Sequence, residues 1–333
     1  MSTTAITPPG VARRGSRRGA PARRLLWRLG GGLVVLFAVS VVVFAVTQAL
    51  PGDLPRLILG TDADEVQIEA LRLQLGLDRP PLEQYLSWLG GVLTGDLGTS
   101  LGSGRPVAEV LGFRILNSFT LITISMLIAV PLSMVLGVLT AARRDSLGDR
   151  ALLGFSMVTN ALPDFVLGTL LIVLLGTTVL PLFPPVSLFP PGDLPWWYPA
   201  QLVLPVMTLT IMAVTYLYRL VRSSVIDVLD SEYIQMARLK GLAGPVVLFR
   251  HALPNAVIPA IQASSIVFAV SLGGLVVIEN LFAFPGVGSA LSSAIATHDI
   301  PVLQACVLLI AATFFVCNTI ADLLSARFGW GNR

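Results

Sequence analysis

Six stretches of this 333-residue chain are apolar over a length that can cross a bilayer, at about 29–50, 115–139, 151–179, 200–220, 256–280 and 301–323. A helix needs roughly 20 such residues to span hydrocarbon, where each backbone N–H and C=O must find its partner inside the segment. The runs therefore constrain the chain to an all-α integral membrane protein with six transmembrane helices. Composition agrees: 54% of the residues are hydrophobic and 12% are charged, against roughly 25% charged in a soluble domain. The third run holds Asn160, Pro163 and Asp164, so a kink or interruption is expected there. The first run has a competing reading as a cleaved signal peptide. Basic residues precede it, and Thr47-Gln48-Ala49 loosely resembles a cleavage site. It exceeds a signal core of roughly 7–15 residues, which favours a retained anchor over 25–50.

Charge divides the loops into two sets. One holds seven arginines between Arg13 and Arg28, then Arg143, Arg144, Arg150, Arg219, Arg222, Arg238, Lys240 and Arg250, and finally Arg327 and Arg333. The other holds Arg56, Arg72, Arg79 and Arg105 among nine acidic residues, with Arg114 at its boundary. The positive-inside rule then places both termini and the 222–255 loop in the cytoplasm, and 51–113 outside. Within 51–113, Asp64 to Leu75 and Pro81 to Leu93 read as amphipathic helices. Residues 1–24, rich in Pro, Gly, Ser, Thr and Arg, read as a disordered basic tail. Residues 326–333 form a short second tail. Trp196-Trp197-Tyr198 closes a Pro-rich loop and suits the membrane–water interface.

Catalytic patterns are missing from the sequence. Lys240 is the only lysine, and it precedes Gly241 where a phosphate-cradling loop needs Gly-Lys-Ser/Thr. The two histidines, His251 and His298, form no His-Glu-x-x-His pair, and no Gly-x-Ser-x-Gly elbow occurs. Cys306 and Cys317 lie eleven residues apart in one run, about 16 Å along a helix, too far to pair with each other. The sequence thus implies no metal and no cofactor in this chain.

Polar residues in the spans are the remaining candidates for chemistry, since an ionisable group in lipid is costly and tends to face the bundle interior or a water path. Asn117, Asn160, Asp164, Glu279, Asp299, Asn318 and Asp322 stand out. Asn117, Asp164 and Glu279 are the candidates for lining a solute path. For Asp164 and Glu279, a structural hydrogen bond to a neighbouring helix is the equal alternative. Gly273 and Gly274 suit close helix packing.

The longest polar segment after residue 150 runs from Glu232 to Pro254, between two spanning runs. Its first part reads as a short helix, capped by Ser231 and ended by Gly241 in a left-handed conformation, with Pro245 blocking a quick restart. Tyr233, Met236, Leu239 and Lys240 share one side of that helix.

This segment resembles the cytoplasmic coupling loop of ATP-binding-cassette importer permeases, through Ala237, Gly241 and Leu253-Pro254. The resemblance extends along the chain from Leu25 and points to the dipeptide/oligopeptide/nickel branch. It is carried by Pro51-Gly52-Asp53, Leu75-Gly76-Leu77-Asp78-Arg79-Pro80, Gln84-Tyr85-Leu86 and Gly95-Asp96-Leu97-Gly98-Thr99-Ser100. Ala141-Ala142-Arg143-Arg144, Glu279-Asn280-Leu281-Phe282, Pro285-Gly286-Val287-Gly288 and His298-Asp299-Ile300-Pro301 complete it. The tail Phe328 to Arg333 lacks the family's usual Asp-Pro-Arg ending.

The resemblance implies a type I permease with its core domain over 114–325, in a bacterial inner membrane. It implies a second homologous permease, two cytoplasmic ATPases that use ATP and Mg, and an extracytoplasmic solute-binding protein delivering peptides or related small solutes. Glu232, Tyr233, Met236, Ala237, Arg238, Lys240, Gly241 and Leu242 would then contact an ATPase. Besides membrane lipid, no further partner and no nucleic acid is implied. An ion-gradient-driven secondary transporter is the alternative, which favours inverted repeats and paired intramembrane charges; no repeat of fixed period is visible.

Overall fold

The computed structural model describes residues 20–49, 54–59, 63–74, 76–190 and 192–328. Of the disordered basic tail expected over residues 1–24, residues 1–19 lie outside the described residues, as do the last five residues and the side chains of His251 and Asp322, whereas residues 20–24 are not a loose tail but the first turns of a helix. Among the described residues there is no strand, only an isolated bridge between Thr99 and Pro106.

The chain opens with α1 (Ala20–Gln48), whose apolar part runs Leu29–Gln48. Three short helices follow: α2 (Leu54–Leu59), α3 (Glu65–Gln74) and α4 (Pro81–Thr94). The last two match the amphipathic helices expected from the sequence. Next comes α5 (Val107–Ala142), 36 residues long with Pro131 inside it. The third apolar run is broken, as its Pro163 predicted: α6 (Leu147–Ala161) and α7 (Asp164–Leu171) meet at 109°. Proline disfavours helical backbone at the preceding Leu162, which is extended at φ −86°, ψ 137°. A π-helical turn, Ile172–Thr177, continues α7.

After a Pro-rich loop come α8 (Pro199–Leu229) and α9 (Glu232–Leu239), then a single turn, α10 (Gly244–Val246), running into a π-helical turn at Val247–Ala252. The chain ends with α11 (Leu253–Leu281), α12 (Val287–Ala296) and α13 (Ile300–Phe328). Among the described residues four helices are long and apolar enough to cross a membrane: α1, α5, α8 and α13. The broken pair α6–α7 makes a fifth if counted as one span. α11 is 29 residues long, but many side chains in its first half lie outside the described set.

The core is built where α5, α8 and α11 cross. Leu121, Leu204, Leu209, Ile278, Phe282 and Phe284 form its main cluster, joined by Leu167 and Leu171 of α7. Small residues set the closest approach: a Cβ added to Gly137 of α5 would lie 2.6 Å from Val221 Cγ1 of α8. Only glycine admits that separation. A layer of α12, α13 and the start of α5 flanks this core through Val107, Leu111, Ala290 and Cys306. Cys306 is fully buried and both cysteines are free.

Candidate functional site

Three polar features interrupt this apolar bundle. The first is α9. Ser231 occupies its N-cap position, but its hydroxyl bonds back to the Val228 carbonyl and caps no N–H of the helix, contrary to expectation. The C-terminal end is as expected. Gly241 has φ +81°, the Gly241 N–H reaches the Arg238 carbonyl at 2.9 Å, and the Leu242 N–H reaches Ala237 at 3.3 Å. These two bonds form a Schellman closure, which favours glycine because the left-handed backbone opposes a Cβ. Pro245 does not block a restart: it stands in the first turn of α10, where its missing N–H costs no helical bond.

Ile234 is the buried residue of α9, and the helix lies against the end of α8 and the π-helical turn after α10. Tyr233, Met236 and Leu239 are exposed at 47%, 56% and 81%. Glu232, Arg238, Lys240 and Leu242 are also exposed, whereas Ala237 is half-buried. Three apolar side chains at a spacing of three residues, flanked by charge, are thus exposed at one end of the bundle.

The second feature ties neighbouring segments to the helix leading into α9. Arg222 of α8 binds Asp149 of α6 in a fork, with Nε to Oδ1 and Nη2 to Oδ2 both at 2.6 Å. Asp149 also accepts from the Asp145 N–H at 3.0 Å, holding the left-handed turn at Asp145 (φ 64°). Arg144 reaches Asp230 at 3.2 Å. The α5–α6 turn is therefore fastened twice to the end of α8, just before α9. From the sequence, Arg222 is visible only as a loop cation, and Asp149 draws no notice. A carboxylate beside a span end was the available signal, but nothing local names its partner.

The third feature sits at the opposite end of α11. Glu279 is fully buried. Its Oε1 accepts from the Ser118 hydroxyl, and its Oε2 accepts from the Gly288 and Ser289 N–H groups at 2.7 and 3.2 Å. Ser118 Oγ in turn accepts from the Val287 N–H at 2.8 Å. The carboxylate thereby caps the free N–H groups at the start of α12, where negative charge is favoured. Asn117 Nδ2 donates to the Pro285 carbonyl at 2.8 Å, while its Oδ1 is buried without a partner. Arg114 donates to Ser289 Oγ at 3.3 Å. Asn117 and Glu279 are both buried at the α11–α12 turn, and Ser118, which bonds Glu279, is missed by sequence reasoning because an isolated serine carries no signal.

Asp164 stands apart from that cluster. It opens α7 at the break, half-buried, and a Cβ added to Gly274 would lie 2.5 Å from its Oδ2. Gly274 thus admits a carboxylate, while Gly273 meets nothing within 4 Å. Asp299 holds the segment before α5: Ser100 Oγ donates to its Oδ2, and the Leu101 and Gly102 N–H groups reach it at 3.2 Å each. Among the described residues no group of three or more His, Cys, Asp or Glu side chains could hold a metal ion.

A multi-pass helical bundle with an exposed amphipathic helix at one end has the architecture of a membrane permease. Its sequence matches the family described as binding-protein-dependent transport system inner membrane component over residues 133–329, and that family's N-terminal region over 22–136. The glutathione transport system permease protein GsiC of Escherichia coli K12 is 36% identical over 299 residues, covering 90% of this chain and 95% of that one. GsiC of Pectobacterium atrosepticum is 36% identical over 301 residues with the same coverage. A Brucella abortus protein named for a peptide transport system permease is 33% identical over 300 residues. The chain belongs to the binding-protein-dependent transport system inner membrane component family, as an ABC importer permease of the peptide branch.

Proposed function

We propose that this permease forms half of an ATP-driven translocation path for di- or oligopeptides or related small solutes, paired with a second homologous permease. The bundle crosses the inner membrane six times, counting α6–α7 as one broken span and α11 as another. Both termini and α9 face the cytoplasm, and 51–113 faces outward, in keeping with the arginine asymmetry. An extracytoplasmic binding protein delivers the solute. Two cytoplasmic ATPases bind ATP and Mg, and their closure drives α9 and rocks the attached spans.

The observation that carries this reading is α9 itself: a short helix closed at Gly241, with Tyr233, Met236 and Leu239 exposed on its surface. Those three supply apolar contact to an ATPase groove, with Glu232, Arg238, Lys240 and Leu242 at its rim and Ala237 and Gly241 at the tight points. Along the path, Asp164 at the α6–α7 break is the best-placed polar group. Asn117 and Glu279 contribute where the α11–α12 turn opens. GsiC relatives make glutathione a natural first solute to try, beside dipeptides.

The test is uptake into proteoliposomes holding both permeases and both ATPases. Labelled dipeptide or glutathione should enter only with the binding protein outside and ATP on the ATPase side. Uptake driven by a proton or sodium gradient without ATP would instead establish the secondary-transporter alternative.

A further inference from the structure

Helix α4 is too short to span a membrane and has no buried residue. At 100° per residue its side chains fall into three sectors. Tyr85, Trp88 and Val92 face α1. The Tyr85 ring lies 5.4 Å from that of Phe44, Trp88 lies 5.7 Å from Phe44, and the Tyr85 hydroxyl is 2.9 Å from Ser40 Oγ. Leu82, Leu86 and Leu93 form a second sector, exposed at 67%, 57% and 79%. Glu83, Ser87 and Thr94 make the third, also exposed. An apolar half and a polar half result.

The depth of the contact selects the occupant of the leucine sector. Phe44 lies four residues inside the Gln48 end of the first span, about 6 Å along the axis. Gln48 itself donates to Gln84 Oε1 at 2.6 Å, fixing the start of α4 at that end. Amphipathic interfacial helices sit about 5–10 Å into the headgroup–acyl boundary. Val41, Val42 and Val46 of α1 are exposed at the same height along the axis, so the span presents an apolar exterior at the level where the leucines lie. Tyr85 and Trp88 are the residue types that anchor at this level.

We infer that α4 is an interfacial membrane helix lying in the leaflet at the Gln48 end of α1, with lipid acyl chains covering Leu82, Leu86 and Leu93. This rests on α1 crossing the bilayer and not on the transport reading. It separates α4 from the water-exposed remainder of the 51–113 segment.

The experiment is nitroxide accessibility on the intact transporter in lipid nanodiscs, with Cys306 and Cys317 replaced by serine. Labels go on Leu86→Cys, Leu93→Cys and, as the polar-side control, Ser87→Cys. Oxygen partitions into acyl chains, whereas a water-soluble nickel chelate does not. Collisions with oxygen should exceed those with nickel at 86 and 93, and the order should reverse at 87. Nickel exceeding oxygen at 86 and 93 would overturn the inference in favour of a water-exposed helix. Low accessibility to both probes at 86 and 93 would overturn it too, making the leucine sector a contact with another subunit. ATP-dependent uptake, measured on the same preparations, reports on the transport reading separately.

Discussion

Arg222 grips Asp149 through two parallel 2.6 Å hydrogen bonds, and so fastens the first turn of α6 to the last third of α8. Asp149 is 1% exposed and Arg222 16%. The attraction between the buried Asp149 and the half-buried Arg222 offsets only part of the desolvation cost, and removing one strands its partner. α8 leads through Asp230 and Ser231 into α9, so this pair and the Arg144–Asp230 contact both sit on the part of α8 nearest α9.

Breaking the pair should be costly. Arg222→Ala and Asp149→Ala are each expected to destabilise the protein by about 3–5 kcal/mol. Arg222→Lys should recover only part, because an ammonium cannot make the fork. A volume-matched apolar pair, Asp149→Leu with Arg222→Met, should regain most of the stability. Thermal unfolding of the purified protein in lipid checks this, and wild-type midpoints for the single variants would refute it. Uptake by the apolar pair then reports whether the ionic link matters to transport beyond stability.

Glu279→Ala leaves the Gly288 and Ser289 N–H groups without their acceptor in a dry site, at about 1–3 kcal/mol for each stranded group. Glu279→Gln keeps one carbonyl oxygen and should cost less. Asp164→Asn, at an only half-buried site, should change uptake more than assembly. Midpoints of thermal unfolding and initial uptake rates distinguish these patterns. Equal midpoints for Glu279→Ala and wild type would remove the capping role.

Ala237→Trp should hold α9 off its groove and abolish uptake while the bundle still inserts. At Gly241 a Cβ would meet nothing within 4 Å, so any penalty there is conformational. Gly241→Val should lose coupling, and Gly241→Asn, which tolerates the left-handed region, should retain much more of it. Co-purification of the ATPases with each variant is the readout. Full co-purification and uptake by both Ala237→Trp and Gly241→Val would mean that another surface does the coupling.

Orientation can be read with an impermeant thiol reagent on single cysteines in a background lacking Cys306 and Cys317. Ser103→Cys, on the exposed turn before α5, should label in intact cells. Leu239→Cys should label only after permeabilisation. The reverse pattern would invert the topology.

Four of the six apolar runs marked helices long enough to span, α1, α5, α8 and α13, because length and composition alone decide what survives in hydrocarbon. Pro163 likewise announced the α6–α7 break, and Gly241 the end of α9, since both act on their own backbone. Ser231 failed as a guide because its hydroxyl had two backbone acceptors or donors within reach, and the preceding turn won. Pro245 misled because proline stops a helix from within but suits its first turn. The links Asp149–Arg222, Ser118–Glu279 and Ser100–Asp299 join residues 73, 161 and 199 positions apart. No local pattern pairs them; only the packing of the helices does.

The first and last spans are joined by a bond from Gln304 Nε2 to Thr47 Oγ1, 2.7 Å long and buried. During synthesis α1 leaves the ribosome more than two hundred residues before α13 exists. The Thr47 hydroxyl is provided for during that wait, since it donates to the Phe44 carbonyl of its own helix at 2.9 Å. Among the described residues the Gln304 side chain bonds Thr47 and nothing in its own helix, so its amide depends on α1 for a partner. The Thr47 hydroxyl thus has an acceptor within its own helix, whereas the Gln304 amide takes its partner from a helix laid down more than two hundred residues earlier.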